Sequence, residues 1–182
     1  MLKVAELEEL PVFVYHPDPV GTGSIKASEQ ACDNCSQRRG LVYTGPVYCE
    51  EEVAALCPWC IADGSAAERF DATYCDVLGP PEIDGTVVDA IARRTPGFSG
   101  WQQERWLFHC GDGAAFLGPA GARELRGDEP ALSSLRAELG AHRWTDDQID
   151  GYLTALDRTG QPTAYLFECR SCGTHLAYSD FT

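Results

Sequence analysis

Three cysteine pairs at C-x2-C spacing, among nine cysteines in 182 residues, constrain this chain more than any other feature. An odd count cannot pair fully within one chain, and C-x2-C is a spacing that metal sites favour. Such a turn aims both sulfurs at one point while its backbone N–H groups donate to the thiolates. Cys32, Cys35, Cys57 and Cys60 read as C-x2-C-x21-C-x2-C. Two such turns supply a complete tetrahedral thiolate shell, which suits zinc and leaves no open coordination position. Pro58 fits the first turn of a helix that starts at Cys57 and runs towards residue 69. The positive end of that helix favours a negative thiolate cluster, and Arg38 and Arg39 add positive charge nearby.

Between the pairs, residues 41–44 and 47–48 flank Gly45-Pro46 and predict a β-hairpin, and residues 50–56 predict a helical turn. Knuckle, hairpin and helix in that order resemble a treble-clef zinc finger. Cys57-Pro58-Trp59-Cys60 also resembles the active-site motif of glutaredoxin-like oxidoreductases, where a helix N-terminus lowers the first thiol's pKa. A thioredoxin-like fold puts a strand directly before that motif and needs no upstream pair. Thiol–disulfide chemistry at Cys57 and Cys60 is therefore the weaker alternative. Trp59, between two ligands, is expected to be exposed as an interface anchor.

Cys110, Cys169 and Cys172 fall at the ends of two further predicted hairpins. Cys169-x2-Cys172-Gly173 is a good knuckle, with glycine permitting the tight backbone. His175, three residues on, is the expected fourth ligand of a second zinc; His109 adjoins Cys110 in a predicted strand and is expected to face the other way. The competing reading is a knuckle without metal, its cysteines packed as small hydrophobes. Cys49 and Cys75 read as buried structural thiols.

The rest of the chain predicts an α+β fold. A strand is expected over 12–15, stopped by Pro17 and Pro19, and a helix over 86–94. Residues 103–110 and 114–117 read as a hairpin through Gly111-Asp112-Gly113. Two helices follow, one with Leu132, Leu135 and Leu139 on a face, the other capped by Thr145 with Gln148 three residues on. Strands over 163–169 and 174–181 close the chain. The expected organisation is an N-terminal strand and Pro-rich loop (1–24), a four-cysteine zinc module (25–75) and an α+β region with the second cluster (76–182). The module is expected to pack on a small antiparallel sheet with two to three helices.

Lys plus Arg number 14 against 28 for Asp plus Glu, a net charge of −14. Counterion release needs a basic face, so nucleic acid and anionic membranes are excluded as first partners, and a basic protein is favoured. No run approaches the ~18 apolar residues of a membrane span. Residues 1–11 carry Glu6, Glu8 and Glu9 without an apolar core segment, so no signal peptide is expected. A cytoplasmic location follows, where thiols stay reduced.

Several segments resemble the CbrC family of bacterial proteins, which is linked by name to colicin tolerance. They are Pro11-Val-Phe-Val-Tyr-His-Pro-Asp-Pro19, Tyr43-Thr-Gly-Pro-Val-Tyr48, Cys57-Pro-Trp-Cys-Ile-Ala-Asp-Gly64 with Phe70-Asp71, and Pro96-Gly-Phe98 through Trp101-Gln-Gln103 to His109-Cys-Gly-Asp112. The resemblance spans nearly the whole chain. It implies a cytosolic bacterial protein with paired cysteines, and supplies no reaction. The family pattern carries a further cysteine near position 114, where this chain has Ala114.

The leading expectation is thus a non-enzymatic, zinc-stabilised protein-binding factor, with stress or toxin tolerance implied by the resemblance. The alternative is an enzyme whose cleft gathers His16, Asp63, His109 and Asp112 for acid–base or metal-assisted work. Each of the four also has a local explanation, since Asp112 in Gly-Asp-Gly forms turns and Asp63 sits at a helix end.

Overall fold

The computed structural model describes residues 9–180. Residues up to Cys75, with Asp89–Phe98, form one compact unit; Asp76–Val88, with the residues from Ser99 onward, form the other. Among the described residues the fold is mixed α+β, with small antiparallel sheets and five helices. Among the described residues no helix is long and apolar enough to cross a membrane. Expectations for residues 1–8 and for the strand end at Phe181 lie outside the described residues.

In the first unit, β1 (Ile25–Ala27) pairs antiparallel with β2 (Leu41–Tyr43). The strand expected over 12–15 does not form. Its burial alternates, with Val12 89% exposed and Phe13 4%, yet no strand pairs with it among the described residues. Instead the His16 amide donates to Phe13 O (3.1 Å), closing a turn before Pro17. Alternation makes an extended segment two-faced; it does not supply a ladder partner.

The expected hairpin over 41–48 is also absent. The Tyr43 phenol donates to Pro46 O (2.9 Å), and its ring lies where any Cβ on Gly45 would stand. The chain then leaves β2, and Tyr48 exchanges both backbone hydrogen bonds with Thr73 (2.8 and 3.1 Å). Residues 50–56 are not helical, because the Asp33 carboxylate takes the amides of Ala54 and Ala55 (2.7 and 3.0 Å). Those amides cannot then serve a helix, and Tyr43 N donates to Leu56 O (2.8 Å) in a β-bridge. The single helix expected from Cys57 is two: α1 (Pro58–Ala62) and α2 (Ser65–Phe70). Gly64 separates them at φ 80, a left-handed conformation that breaks the helix. Helix α3 (Gly85–Arg94) forms as expected, spanning the division between the units.

In the second unit a short hairpin, β3 (Phe108–His109) with β4 (Asp112–Gly113), precedes a three-stranded antiparallel sheet. The sheet orders β5 (Ala115–Ala120), β6 (Thr163–Glu168) and β7 (His175–Asp180). Helices α4 (Glu129–Ala141) and α5 (Asp146–Ala155) cover one face, α5 carrying the expected Thr145–Gln148 capping box. Leu135, Leu139, Ile149 and Leu153 pack there on Ala120, Ala164 and Ala177, small residues that let the helices approach closely. The other face carries Phe116, Tyr165, Phe167 and Tyr178 around Trp106. Phe116 and Ala120 are four residues apart and would share a face in a regular strand. A bulge between Phe116 and Gly118 puts them on opposite faces.

The strand expected over 103–107 is not formed. Its neighbourhood runs along the aromatic face, held by side chains: Trp101 N donates to Tyr165 Oη, Gln102 N to Asp180 Oδ2 and Arg105 N to Tyr178 Oη, each at 3.1 Å.

Candidate metal centres

The four thiols of the first unit meet. The sulfurs of Cys32, Cys35, Cys57 and Cys60 all lie within 4.8 Å of one another. The knuckle at Cys32 is closed by Ser36 N donating to Cys32 O (2.7 Å), with Ser36 in the left-handed region at φ 59. The segment that Asp33 holds delivers Cys57 to the start of α1, where its amide donates to Cys32 Sγ (3.3 Å). Arg69 of α2 donates to Asp33 O and Asn34 O (2.7 and 2.6 Å), and Asn34 Nδ2 to Ser65 Oγ (2.8 Å). Asp33, Asn34 and Arg69 thus fasten knuckle to helices, a role the cysteine spacing alone did not mark.

Distances separate zinc geometry from a disulfide. Tetrahedral zinc with Zn–S near 2.3 Å sets its sulfurs about 3.8 Å apart, whereas bonded sulfurs lie about 2.05 Å apart. Cys35 Sγ and Cys57 Sγ are 3.8 Å apart, and all nine cysteines are free thiols. Cys32, Cys57 and Cys60 are buried among Phe13, Ile25, Leu56, Ile61 and Tyr74. The Cys57 thiol and turn amides, donating to Cys32, outweigh burial and hold its pKa down at about 4; the same contact pushes Cys57 up.

The second set differs from expectation in one ligand. His109, Cys110, Cys169 and Cys172 offer donors that all lie within 4.8 Å of one another. Cys110 is not in a strand. With Gly111 it forms a two-residue turn, both at positive φ (51° and 76°), while His109 pairs with Asp112. The pleat argument that sent His109 away from Cys110 therefore does not apply. His109 Nδ1 lies 3.2 Å from Cys110 Sγ and 3.5 Å from Cys172 Sγ, and those two sulfurs are 3.8 Å apart. A Zn(Cys)3(His) tetrahedron asks for about 3.6 Å and 3.8 Å.

His175 is held elsewhere. Its Nδ1 meets Asp128 Oδ2 at 2.5 Å, and Asp128 caps α4 by accepting from Ala131 N (3.2 Å). The knuckle itself forms as expected, with Gly173 N donating to Cys169 O (2.8 Å) and Gly173 at φ 70. Cys172 Sγ and Thr174 Oγ1 are 3.2 Å apart, and this hydroxyl leads the influences that lower the Cys172 pKa. Cys110 is pushed up to about 11 by its contacts with Cys172 and Cys169. The donors of both sets fit zinc in number, type and spacing.

The other residues singled out by sequence have local roles. Trp59 is half-buried, its Nε1 donating to Glu9 O (3.1 Å) and the Arg39 guanidinium 5.2 Å from its ring centre, so it is tied down rather than offered as an anchor. Arg38 donates to Glu29 O. Asp63 accepts from Ser65 N (2.8 Å), starting α2. Asp112 accepts from its neighbour Gly113 N (2.8 Å) and pairs with Arg170 at 2.5 Å. Cys75 is buried beside Ile91 O, while Cys49 is only half-buried, donating to Glu51 O (3.1 Å).

His16 is fully buried. Its Nδ1–H donates to Pro96 O (2.7 Å), and its Nε2 lies 2.7 Å from Thr22 Oγ1, which itself donates to Pro19 O (3.3 Å). Burial, opposed by the Pro96 bond and Asp18, lowers its pKa from 6.5 to about 4. The unfolded chain takes up this proton first as pH falls. The contribution is therefore complete above pH 6.5 and is lost as pH falls to 4, in total about 3 kcal/mol. Urea unfolding at pH 7 and pH 4 is expected to show that much less pH dependence in His16→Gln; equal dependence in both proteins contradicts the buried neutral ring.

Residues 10–181 match the family model described as "Uncharacterised protein family (UPF0167)". The UPF0167 proteins Mb2317 of Mycobacterium bovis and MT2352 of Mycobacterium tuberculosis are each 57% identical to the chain over 177 residues, covering 96% of it and 95% of the relative. The UPF0167 protein PA1536 of Pseudomonas aeruginosa is 40% identical over 177 residues, covering 95% and 98%. No solved structure gives a significant match. The chain belongs to the UPF0167 family.

Proposed function

We propose that this UPF0167 member is a non-enzymatic binding protein stabilised by two zinc ions. One is held by Cys32, Cys35, Cys57 and Cys60, the other by His109, Cys110, Cys169 and Cys172. The observation that carries the reading is saturation, since each set offers four protein donors within 4.8 Å of one another. Four protein ligands make a closed shell with no position for substrate, so the ions serve folding. The first module is treble-clef-like in that a knuckle supplies one ligand pair and a helix start the other. The alternative of an enzyme with an acid–base or metal-assisted cleft has less support, because His16 is sealed from solvent and held at both ring nitrogens.

A net charge of −14 favours and steers a basic protein partner. The resemblance to the CbrC family adds a role in stress or colicin tolerance, and reduced cysteine pairs suit the cytoplasm. The ligand assignment is tested by zinc content in single variants. His109→Ala is expected to lower the count from two to one, while His175→Ala keeps two. The reverse pattern overturns the second site as assigned.

A further inference from the structure

The two cysteine sets differ in access. In the first, Cys32, Cys57 and Cys60 are at most 4% exposed and enclosed by the apolar core. In the second, Cys110 and Cys172 are exposed while Cys169 is buried. The exposed sulfurs are 3.8 Å apart, one in the β3–β4 turn and the other in the β6–β7 turn. A disulfide requires them to close by about 1.8 Å, within reach of side-chain rotation in two turns. Thiolate character and exposure govern which cysteines oxidise. Metal-bound thiolates are shielded from oxidant only as far as the surrounding protein covers them, and here Cys110 and Cys172 are uncovered.

We propose that Cys110 and Cys172 form an oxidative modification site, at which a peroxide joins them as a disulfide and expels the second zinc while the first zinc stays bound. This deepens, and rests on, the two-zinc reading. In the first step one thiolate attacks peroxide: an S–O bond forms, the O–O bond breaks, and hydroxide leaves. The other thiolate then attacks that sulfenic sulfur, forming S–S, breaking S–O and releasing a second hydroxide. Two electrons pass from the sulfurs to the peroxide, and Zn2+, keeping its charge, departs with two of its four ligands gone. Cys169 stays unoxidised because it is buried. The new bond ties the β3–β4 turn to the β6–β7 turn in place of the metal.

The test uses the zinc-loaded full chain treated with hydrogen peroxide, with zinc release followed by a chromogenic chelator and disulfides mapped on non-reduced peptides. One of two zinc ions is expected to leave at least ~10-fold faster than the other, with Cys110 joined to Cys172. Dithiothreitol and added zinc should restore two. Simultaneous loss of both ions, no loss, or a disulfide at another pair overturns the proposal. The count before oxidant separates the two ideas, since fewer than two zinc ions means that the underlying reading has failed.

Discussion

Replacing Cys57 with serine is expected to abolish the folded state of the first unit rather than weaken it. Cys57 brings together three things in one side chain. It is a zinc ligand under the proposed reading, the N-cap of α1 and a member of the buried core with Leu56, Ile61 and Tyr74. Structural zinc contributes about 10–16 kcal/mol in apparent binding free energy. A whole domain is stable by only about 5–15 kcal/mol. Losing the ion therefore exceeds what burial alone can hold, and leaves three thiols packed together in an apolar interior. Cys75→Ser is the matched control: equally buried and close to Ile91 O, but in neither set. Its cost is expected to be about 1–3 kcal/mol, for a hydroxyl placed in a thiol's site. Amide NMR spectra read the difference directly. Cys57→Ser should lose dispersed signals from residues of the first unit, and Cys75→Ser should keep them. Dispersed spectra for both would remove the metal from the account of that unit's stability.

Phe167→Ala is expected to cost about 3–5 kcal/mol through transfer and cavity terms. Phe167 is fully buried, with Trp106, Phe116 and Tyr178 ring centres at 5.7, 5.2 and 6.2 Å. It sits on the central strand, opposite Phe116 of β5 and Leu176 of β7, so neither neighbouring strand can move in to fill the space. A fall in melting temperature on the order of 10 °C should follow. Leu166→Ala, one residue away on the helix-covered face, is a useful contrast because Leu166 is only half-buried. A Phe167→Ala loss no larger than that of Leu166→Ala would mean that the aromatic face is loosely packed.

The cysteine positions were legible because a C-x2-C turn is local: spacing alone dictates that both sulfurs can converge, and three such pairs are visible in the chain. The two long helices were legible for the same reason, α5 through Thr145 and Gln148, α4 through its leucines. What escaped was decided by distant partners. His175 looked closer to the knuckle than His109, but the α4 cap residue Asp128 claims it from 47 residues away. His109 was dismissed by strand alternation, an argument that fails once Cys110 turns left-handed at φ 51. The Gly-Asp-Gly that follows was read as the turn, whereas the turn residues are Cys110 and Gly111. The same logic explains residues 50–56, which look helical until the side chain of Asp33 takes their amides. Residues 101–105, likewise, are held by the phenols of Tyr165 and Tyr178 and the carboxylate of Asp180.

The central claim is two closed zinc centres, and the most direct measurement is the mass of the intact chain under native conditions, after purification without chelator. The account expects the apo mass plus two zinc ions, falling to the apo mass on acid denaturation, with no disulfide among the nine cysteines. A native mass equal to that of the bare chain, with all nine thiols titrating freely, would contradict it.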